Sequence, residues 1–268
     1  MTVIAIANQK GGVAKTTTAV FLAHHFALQG CRTLVVDFDV QGQVATFLGL
    51  EKANGLYRLL VDEETPEVVA VGARDGLDVI RNDKTNERLV AHMMQTDFRE
   101  FAVAQALERA HKYDLIFLDM PPSTNVLHVA SLVAADFVII PTKMDYASLE
   151  GAAEILGTIR SLNRIPGVQP PQLIGVLPTV YERVTNATED SLRQLQGAVG
   201  MEQVLPPIPS DTRVREANAR GLTIWEYAPN SPAAIGYPNG QTVRNSRGGV
   251  GGYLHLAEIT ARMISGKG

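Results

Sequence analysis

The chain has 268 residues, of which 46% are hydrophobic and 19% are charged, so it can bury a substantial core. Lys and Arg number 24 against 28 Asp and Glu, and this acidic balance argues against a protein that coats nucleic acid through bulk charge. A single cysteine, Cys31, excludes an internal disulfide framework and a zinc site of several thiolates. No apolar run is long enough to span a membrane and no export signal is visible, so we expect a soluble cytoplasmic protein.

Short runs rich in Val and Ile alternate with longer segments that carry apolar residues at helical spacing. This alternation predicts a single doubly wound α/β domain over residues 1–268, with about seven or eight mostly parallel strands and helices on both faces. The predicted strands span residues 3–7, 33–37, 77–81, 115–119, 137–141 and 173–177, with a weaker one at 203–205. The predicted helices span residues 16–29, 98–111, 149–163 and 253–264, with a long surface loop at 228–252. Because the first strand begins at residue 3, we expect no helix-turn-helix domain before it.

The strongest motif lies between the first predicted strand and the first predicted helix, where residues 8–17 read NQKGGVAKTT. Paired glycines allow successive backbone N–H groups to converge on an anion, and the N-terminus of the following helix adds partial positive charge. In such a phosphate-binding loop a lysine reaches the β- and γ-phosphates and a threonine hydroxyl binds Mg²⁺. The residues predicted to bind the nucleotide here are Gly11, Gly12, Val13, Ala14, Lys15, Thr16 and Thr17.

Two features separate this motif from the ordinary phosphate-binding loop. Gln9 and Ala14 stand where the ordinary pattern has glycine, and a second lysine, Lys10, comes five residues before Lys15. The motif resembles the deviant Walker A box, KGGxxKT[ST], of the ParA/MinD/Soj family of partition and positioning ATPases. The resemblance implies that Lys10 reaches across a dimer to the nucleotide of the other subunit and stabilises charge there, comparably to an arginine finger.

Two further segments resemble the parts of this family that handle magnesium and the attacking water. Residues 35–42 read VVDFDVQG and are similar to the family's DxDPQG segment, which implies that Asp39 positions the water and that Asp37 belongs to the outer magnesium shell. Period-two geometry places both carboxylates on the same side if the strand continues past Asp37. Residues 115–122 read LIFLDMPP, which implies that Asp119 is the Walker B aspartate and that a switch follows it.

Later segments extend the resemblance over most of residues 1–228. Residues 145–151 read DYASLEG and are similar to the family's EYxALEG stretch, whose implied role is helix initiation and packing near the dimer face. Residues 177–183 and 208–217 read LPTVYER and IPSDTRVREA, and they resemble the segments on the two sides of the adenine. This part of the resemblance implies that Thr179 and Pro209 belong to the nucleotide site.

Cations in the second half of the chain are candidates for DNA binding, since ten of the eleven Lys and Arg after residue 149 are arginines. Members of the resembling family bind DNA without sequence preference once ATP has dimerised them, which requires cations aimed at phosphates rather than base contacts. The residues assigned to this surface are Arg183, Arg213, Arg215 and Arg220, with Arg244 and Arg247 of the late loop as further candidates.

The resemblance therefore implies a Mg²⁺-dependent ATP hydrolase that forms a homodimer on ATP, binds DNA of the nucleoid and partitions a plasmid or chromosome. A ParB-like adaptor would stimulate hydrolysis. Two alternatives stay open: a related ATPase that positions a protein cargo, and a nucleotide-gated DNA-binding regulator with negligible turnover. An iron–sulfur ATPase is excluded because its bridging cluster needs two cysteines from each subunit. A membrane-cycling regulator is disfavoured because the last helix carries few cations.

Overall fold

A seven-stranded sheet organises the part of the chain that the computed structural model describes, which is residues 1–123, 125–182, 186–237 and 251–266, without the side chains at 86–87 and 186–189. Its strands are β1 Thr2–Ile6, β2 Thr33–Asp37, β3 Val71–Arg74, β4 Leu77–Ile80, β5 Leu115–Asp119, β6 Phe137–Thr142 and β7 Gln172–Pro178. The spatial order is β3-β4-β2-β5-β1-β6-β7, and every neighbouring pair is parallel except β3–β4. The predicted doubly wound, mostly parallel sheet is confirmed.

Helices cover both faces of this sheet. In chain order they are α1 Lys15–Leu28, α2 Gln43–Phe47, α3 Gly55–Leu60, α4 Pro66–Val69, α5 Asn86–Met93, α6 Ala102–Leu107, α7 Val126–Ala134, α8 Tyr146–Leu162, α9 Asn186–Val199, α10 Thr212–Ala219, α11 Ile224–Tyr227, α12 Pro232–Ile235 and α13 Tyr253–Ser265. Short 3₁₀ turns occupy Arg99–Phe101 and Met201–Gln203. Within the described ranges, no helix is both long enough and apolar enough to cross a membrane.

Alternate residues of the central strands belong to two separate hydrophobic cores, because successive side chains of a strand point to opposite faces. In β1, Val3 and Ala5 join the core beneath α3 and α5–α9, whereas Ile4 and Ile6 join the core beneath α1 and α11–α13. The carboxyl ends of β1, β2, β5 and β6 therefore meet at one edge between two helical layers. In open parallel sheets, ligands bind at that edge.

Two predicted elements, one strand and one helix, differ from the structure. The strand predicted at 203–205 is replaced by the 3₁₀ turn, and Val204 forms only an isolated bridge to Val176 of β7. The helix predicted at 98–111 is reduced to α6 and the turn before it. Phe98 stays outside any helix because its φ of +53° is left-handed and its side chain is 75% exposed.

The surface loop predicted at 228–252 contains a short helix, so that prediction is wrong at its start. Ser231 caps α12 by accepting a hydrogen bond from the amide of Ala234 at 3.3 Å, and both Ala233 and Ala234 are buried. Two small apolar side chains thus pack a segment whose composition resembles a loop. Residues 238–250, which include Arg244 and Arg247, lie outside the described residues.

Candidate functional site

The loop between β1 and α1 has the backbone form of an anion-binding turn. Gly12 (φ +73°) and Ala14 (φ +67°) both adopt the left-handed conformation, and α1 begins directly after Ala14. Gly11 and Gly12 are exposed, whereas the side chain of Val13 is fully buried. Ala14 thus adopts a conformation that glycine reaches without steric cost, and the turn keeps its shape where the ordinary glycine is missing.

The side chain of Lys15 is almost fully buried at the centre of this loop. Its Nζ donates a hydrogen bond to the carbonyl oxygen of Lys10 at 3.0 Å. Burial lowers the pKa of Lys15, and the carboxylates of Asp119 and Asp39 oppose that effect. The ammonium group therefore lies where a phosphate oxygen would compete with the carbonyl of Lys10. The side chain of Lys10 is itself exposed.

Adjacent strands bring two carboxylates together below the loop. Asp37 ends β2 and Asp119 ends β5, and the two residues are paired in the register of the sheet. Both are fully buried, and burial is the first cause that raises the pKa of each. Thr16 Oγ1 donates to Asp119 Oδ2 at 2.7 Å, whereas Asp119 Oδ1 has no hydrogen-bond partner in the part of the chain described. A buried carboxylate with one unpartnered oxygen favours the approach of a cation.

The sequence predicted that Asp37 and Asp39 lie on the same side of the sheet if the strand continues past Asp37. The strand does not continue, because β2 ends at Asp37. Asp37 Oδ1 accepts a hydrogen bond from the amide of Asp39 at 2.9 Å, and its Oδ2 accepts one from the amide of Val44 at 3.1 Å. These bonds turn the chain, because an aspartate that binds nearby amides competes with the strand ladder. Asp37 is committed to backbone amides, while the half-buried Asp39 lines the cleft described next.

A cleft of about 600 Å³ opens over the loop, which is the size of a cofactor site. The loop, α1 and α2 form one wall, and the residues after β7 together with α10 form the other. Of the residues predicted to bind nucleotide or metal or to act in catalysis, those that line the cleft are Gly11, Gly12, Ala14, Lys15, Thr16, Thr17, Asp39, Thr179 and Pro209. Those of the same prediction outside its lining are Lys10, Val13, Asp37 and Asp119.

Thr179 joins the two walls of the cleft. It is buried, and its Oγ1 lies 3.1 Å from the carbonyl oxygen of Val13 and 3.2 Å from that of Thr142. On the same wall, the amide of Ile208 donates to the carbonyl of Pro178 at 2.8 Å, which fixes the neighbouring Pro209. The wall opposite the loop is therefore attached to β6 and β7 by short hydrogen bonds.

Thr16, which lines the cleft, and Asp119, which is buried behind the cleft and hydrogen-bonded to Thr16, fit a magnesium ion. Mg²⁺ takes oxygen ligands in octahedral geometry and is often held by one or two protein groups together with phosphates and water. Thr16 Oγ1 and the unpartnered Asp119 Oδ1 are oxygens of that kind. The described side chains form no cluster of three or more His, Cys, Asp or Glu suited to a metal. A site of two protein groups is thus complete only when a phosphate contributes further oxygens.

Lys143, Asn218 and Tyr253 are among the cleft residues that the sequence did not assign to the site. Lys143 follows β6, and its Nζ lies 3.8 Å from the position that a Cβ on Gly12 would occupy. Asn218 of α10 donates from Nδ2 to Thr17 Oγ1 at 3.3 Å, and Tyr253 of α13 reaches the cleft from the last helix. Lys143 could have been found from its place directly after a buried strand, by the argument used for Asp119. The other two carry no local signal, because only the tertiary fold brings α10 and α13 to α1.

The arginines assigned to DNA do not form one patch. Arg215 lines the cleft, whereas Arg213, in the first turn of α10, and Arg220, directly after its end, do not. Arg213 lies 3.8 Å from the carboxylate of Asp211, and the Arg220 guanidinium lies 4.9 Å from the ring centre of Tyr227. All three arginines are exposed. The fourth, Arg183, lies outside the described residues.

The chain is similar over most of its length to proteins of one family. A family model described as an AAA domain matches residues 1–167. The chromosome-partitioning ATPase Soj of Thermus thermophilus is 37% identical over 235 residues, covering 87% of this chain and 91% of the relative.

Two solved structures share the fold. McdA from Cyanthece superposes with a TM-score of 0.82 at 20% identity, covering 97% of this chain and 99% of that one. Cobyrinic acid a,c-diamide synthase from Mycobacterium smegmatis, bound to ADP and magnesium, has a TM-score of 0.72 at 30% identity, covering 82% and 91%. The predicted resemblance is confirmed, and the chain belongs to the ParA/Soj family of P-loop ATPases.

Proposed function

We propose that this chain binds ATP and Mg²⁺ in the cleft, dimerises around two nucleotides and partitions a plasmid or chromosome. The observation that carries the proposal is the different placement of the two lysines of the loop. Lys15 is buried with its ammonium in the loop, whereas Lys10 is exposed and does not line the cleft of its own chain. One lysine is available for the nucleotide in the same subunit and the other for a partner.

The residues around Lys15 suit the cleavage of a terminal phosphate within one subunit. The loop amides and the Lys15 ammonium would hold the β- and γ-phosphates, and Thr16 and Asp119 would hold Mg²⁺. Bound Mg²⁺ would offset the charge that develops on the phosphate oxygens. Asp39 lies half-buried in the cleft, where its carboxylate would orient the attacking water.

Lys10 would complete this site from the other subunit of the dimer. Its backbone carbonyl accepts the hydrogen bond from Lys15, so the side chain begins next to the phosphate site, and the residue is exposed to solvent. A second copy that faces the cleft would receive this cation beside its own γ-phosphate. A cation supplied in trans raises the rate of phosphoryl transfer by about 10³–10⁵-fold in related mechanisms.

DNA binding would depend on the dimer because, of the assigned arginines that the structure describes, one subunit presents only Arg213 and Arg220 outside the cleft. These two exposed residues lie near the two ends of α10, and pairing of two subunits would double their number. Affinity for DNA grows steeply with the number of phosphates neutralised, so an acidic monomer releases DNA that its dimer retains. A ParB-like adaptor would then stimulate hydrolysis and release the dimer from the nucleoid.

The test of the proposal compares Lys10→Ala with Lys84→Ala, which removes an exposed lysine elsewhere. Light scattering with ATP and Mg²⁺ measures the dimer, and phosphate release measures turnover. We expect Lys10→Ala to bind nucleotide with the parent's affinity, to remain monomeric and to lose on the order of 10³-fold in turnover. Lys84→Ala should match the parent. A Lys10→Ala variant that dimerises and hydrolyses ATP like the parent would refute the proposal.

A further inference from the structure

A buried asparagine connects the start of the phosphate-binding loop to the crossover after β6. Asn8 is fully buried, and its Nδ2 donates to the carbonyl oxygen of Pro141 at 2.8 Å and lies 3.4 Å from that of Ser148. Its Oδ1 accepts a hydrogen bond from the amide of Lys10 at 2.8 Å. One side chain therefore fixes the backbone nitrogen of Lys10 to both β6 and α8.

Gly151 of α8 leaves the room that this asparagine needs. A Cβ at Gly151 would lie 2.5 Å from Asn8 Oδ1 and 3.3 Å from the amide nitrogen of Lys10. The asparagine cannot move aside freely because its amide group already makes the bonds described above. Any side chain at Gly151 must therefore displace the acceptor that holds Lys10.

The first turn of α8 is held firmly against this contact. Asp145 caps the helix, since its Oδ1 accepts from the amide of Ser148 at 2.9 Å and its Oδ2 from the hydroxyl of Ser148 at 3.0 Å. Ser148 is buried, and its carbonyl faces Asn8. The helix start, the asparagine and the loop thus form one hydrogen-bonded unit.

The backbone of Lys10 is fixed on both sides by this unit. Asn8 holds its amide nitrogen, and the Lys15 ammonium holds its carbonyl oxygen at 3.0 Å. Only the side chain of Lys10, which is exposed, remains unrestricted by these contacts. Before nucleotide binds, Asn8 and Lys15 together set the direction in which the side chain leaves the loop; once a phosphate takes the Lys15 ammonium, Asn8 alone sets it.

We propose that Asn8 and Gly151 are positioning residues that aim Lys10 at the nucleotide of the second subunit. This inference rests on the proposed function, because it gives Lys10 a task in the dimer. The hydrogen bonds and close approaches given above for Asn8 and Gly151 involve none of residues 11–17, so we expect binding of nucleotide within one subunit not to depend on them. The contact also makes the alignment of Lys10 depend on the packing of α8 against β6.

The same helix supplies a matched control for the test. A Cβ at Gly157, six residues further along α8, would meet nothing within 4 Å. Glycine destabilises a helix interior relative to alanine, so Gly157→Ala changes helix propensity alone. Gly151→Ala brings the same gain in propensity together with the clash, and the difference between the two variants isolates the contact.

We expect Gly157→Ala to match the parent in nucleotide affinity, dimerisation and turnover. Gly151→Ala should keep its affinity for MgATP within about threefold, while kcat and the dimer fraction fall, because a misplacement of about 1 Å costs on the order of 100-fold in rate. Asn8→Ala frees the Lys10 amide without a clash, and it should likewise lower kcat with little change in KM. It provides the test if Gly151→Ala does not fold.

The decisive measurement repeats Gly151→Ala in the Lys10→Ala background. If Gly151 acts through Lys10, the double variant turns over ATP at the rate of Lys10→Ala alone, because the two effects are not additive. A further loss in the double variant, or a Gly151→Ala and an Asn8→Ala that both behave like Gly157→Ala, overturns the inference. A Lys10→Ala variant indistinguishable from the parent instead overturns the proposed function, and the two failures are therefore distinct.

Discussion

The buried carboxylate of Asp119 predicts an inverse dependence of stability on pH in the protein free of nucleotide and magnesium. Burial raises the pKa of Asp119 from 3.8 to about 7, while the hydrogen bond from Thr16 and the charge of Lys15 oppose the rise. Between these two values the folded protein holds a proton that the unfolded chain has released. Stability is therefore greatest at the acidic end of this window and falls as the pH rises to about 7.

Replacing Asp119 by asparagine removes the charge but leaves an oxygen that can accept from Thr16. A difference of about three pH units corresponds to about 4 kcal/mol, which is the ceiling for the gain in free energy of unfolding at pH 8. We expect Asp119→Asn to be more stable than the parent by about 2–4 kcal/mol at pH 8 and by about 1–2 kcal/mol at pH 5. Some pH dependence should persist because Asp37 remains buried.

Urea denaturation in EDTA at pH 5, 6, 7 and 8 measures this effect. Asp114→Asn is the control of opposite sign, since the exposed Arg32 lowers the pKa of Asp114 to about 2. Its loss should slightly destabilise the protein at every pH in this range. An Asp119→Asn variant that is less stable than the parent at pH 8 would show that the buried charge is compensated, and the reasoning would be refuted.

Two further predictions concern the loop and α10. Ala14→Gly should raise the free energy of unfolding by about 0.5–1 kcal/mol, because the relief of an alanine held at φ +67° outweighs the freedom that glycine adds to the unfolded chain. Urea midpoints at constant m-value measure this change, and a loss of stability would contradict the prediction. Arg215→Glu should weaken both ATP and DNA binding because Arg215 lines the cleft, whereas Arg213→Glu should weaken DNA binding alone. Filter binding measures the affinity for DNA, and nucleotide titration measures the affinity for ATP. Equal affinities of the two variants for ATP would contradict the placement of Arg215 at the nucleotide.

The central strands of the fold could be predicted from the sequence because they are buried on both faces. β2 and β5 have the predicted bounds, and each of their residues is buried. The edge strand β3 escaped prediction because it is four residues long and only partly buried. A local signal did exist in the dipeptide Asp75-Gly76, which joins β3 to β4, because Asp-Gly is common in hairpin turns. In the structure, Gly76 has a left-handed φ of +72°.

The residues predicted to surround the phosphates could be found from the sequence, whereas those on the adenine side of the cleft could be found only in part. Lys15, Thr16 and Asp119 lie together because the carboxyl ends of neighbouring parallel strands share one edge, a rule that needs no long-range information. Asn218 and Tyr253 approach from α10 and α13, whose packing on α1 no local pattern encodes. The ring of Tyr253 meets the edge of Phe21 with 5.1 Å between centroids, a contact between residues far apart in the chain.

The resting partner of the Lys15 ammonium has a consequence for ligand selection. A carbonyl oxygen already occupies one of its three N–H donors, so an anion that needs this donor competes with an intramolecular acceptor. A hydrogen bond that involves a charged group is worth about 1.5–3 kcal/mol, and a weak or singly charged anion gains little by the exchange. A polyphosphate with its metal gains several contacts at once, so it displaces the carbonyl oxygen of Lys10 from the ammonium. For this donor the loop thereby favours polyphosphates over small anions, and each exchange frees the carbonyl oxygen of Lys10 while Asn8 still holds the amide nitrogen of that residue.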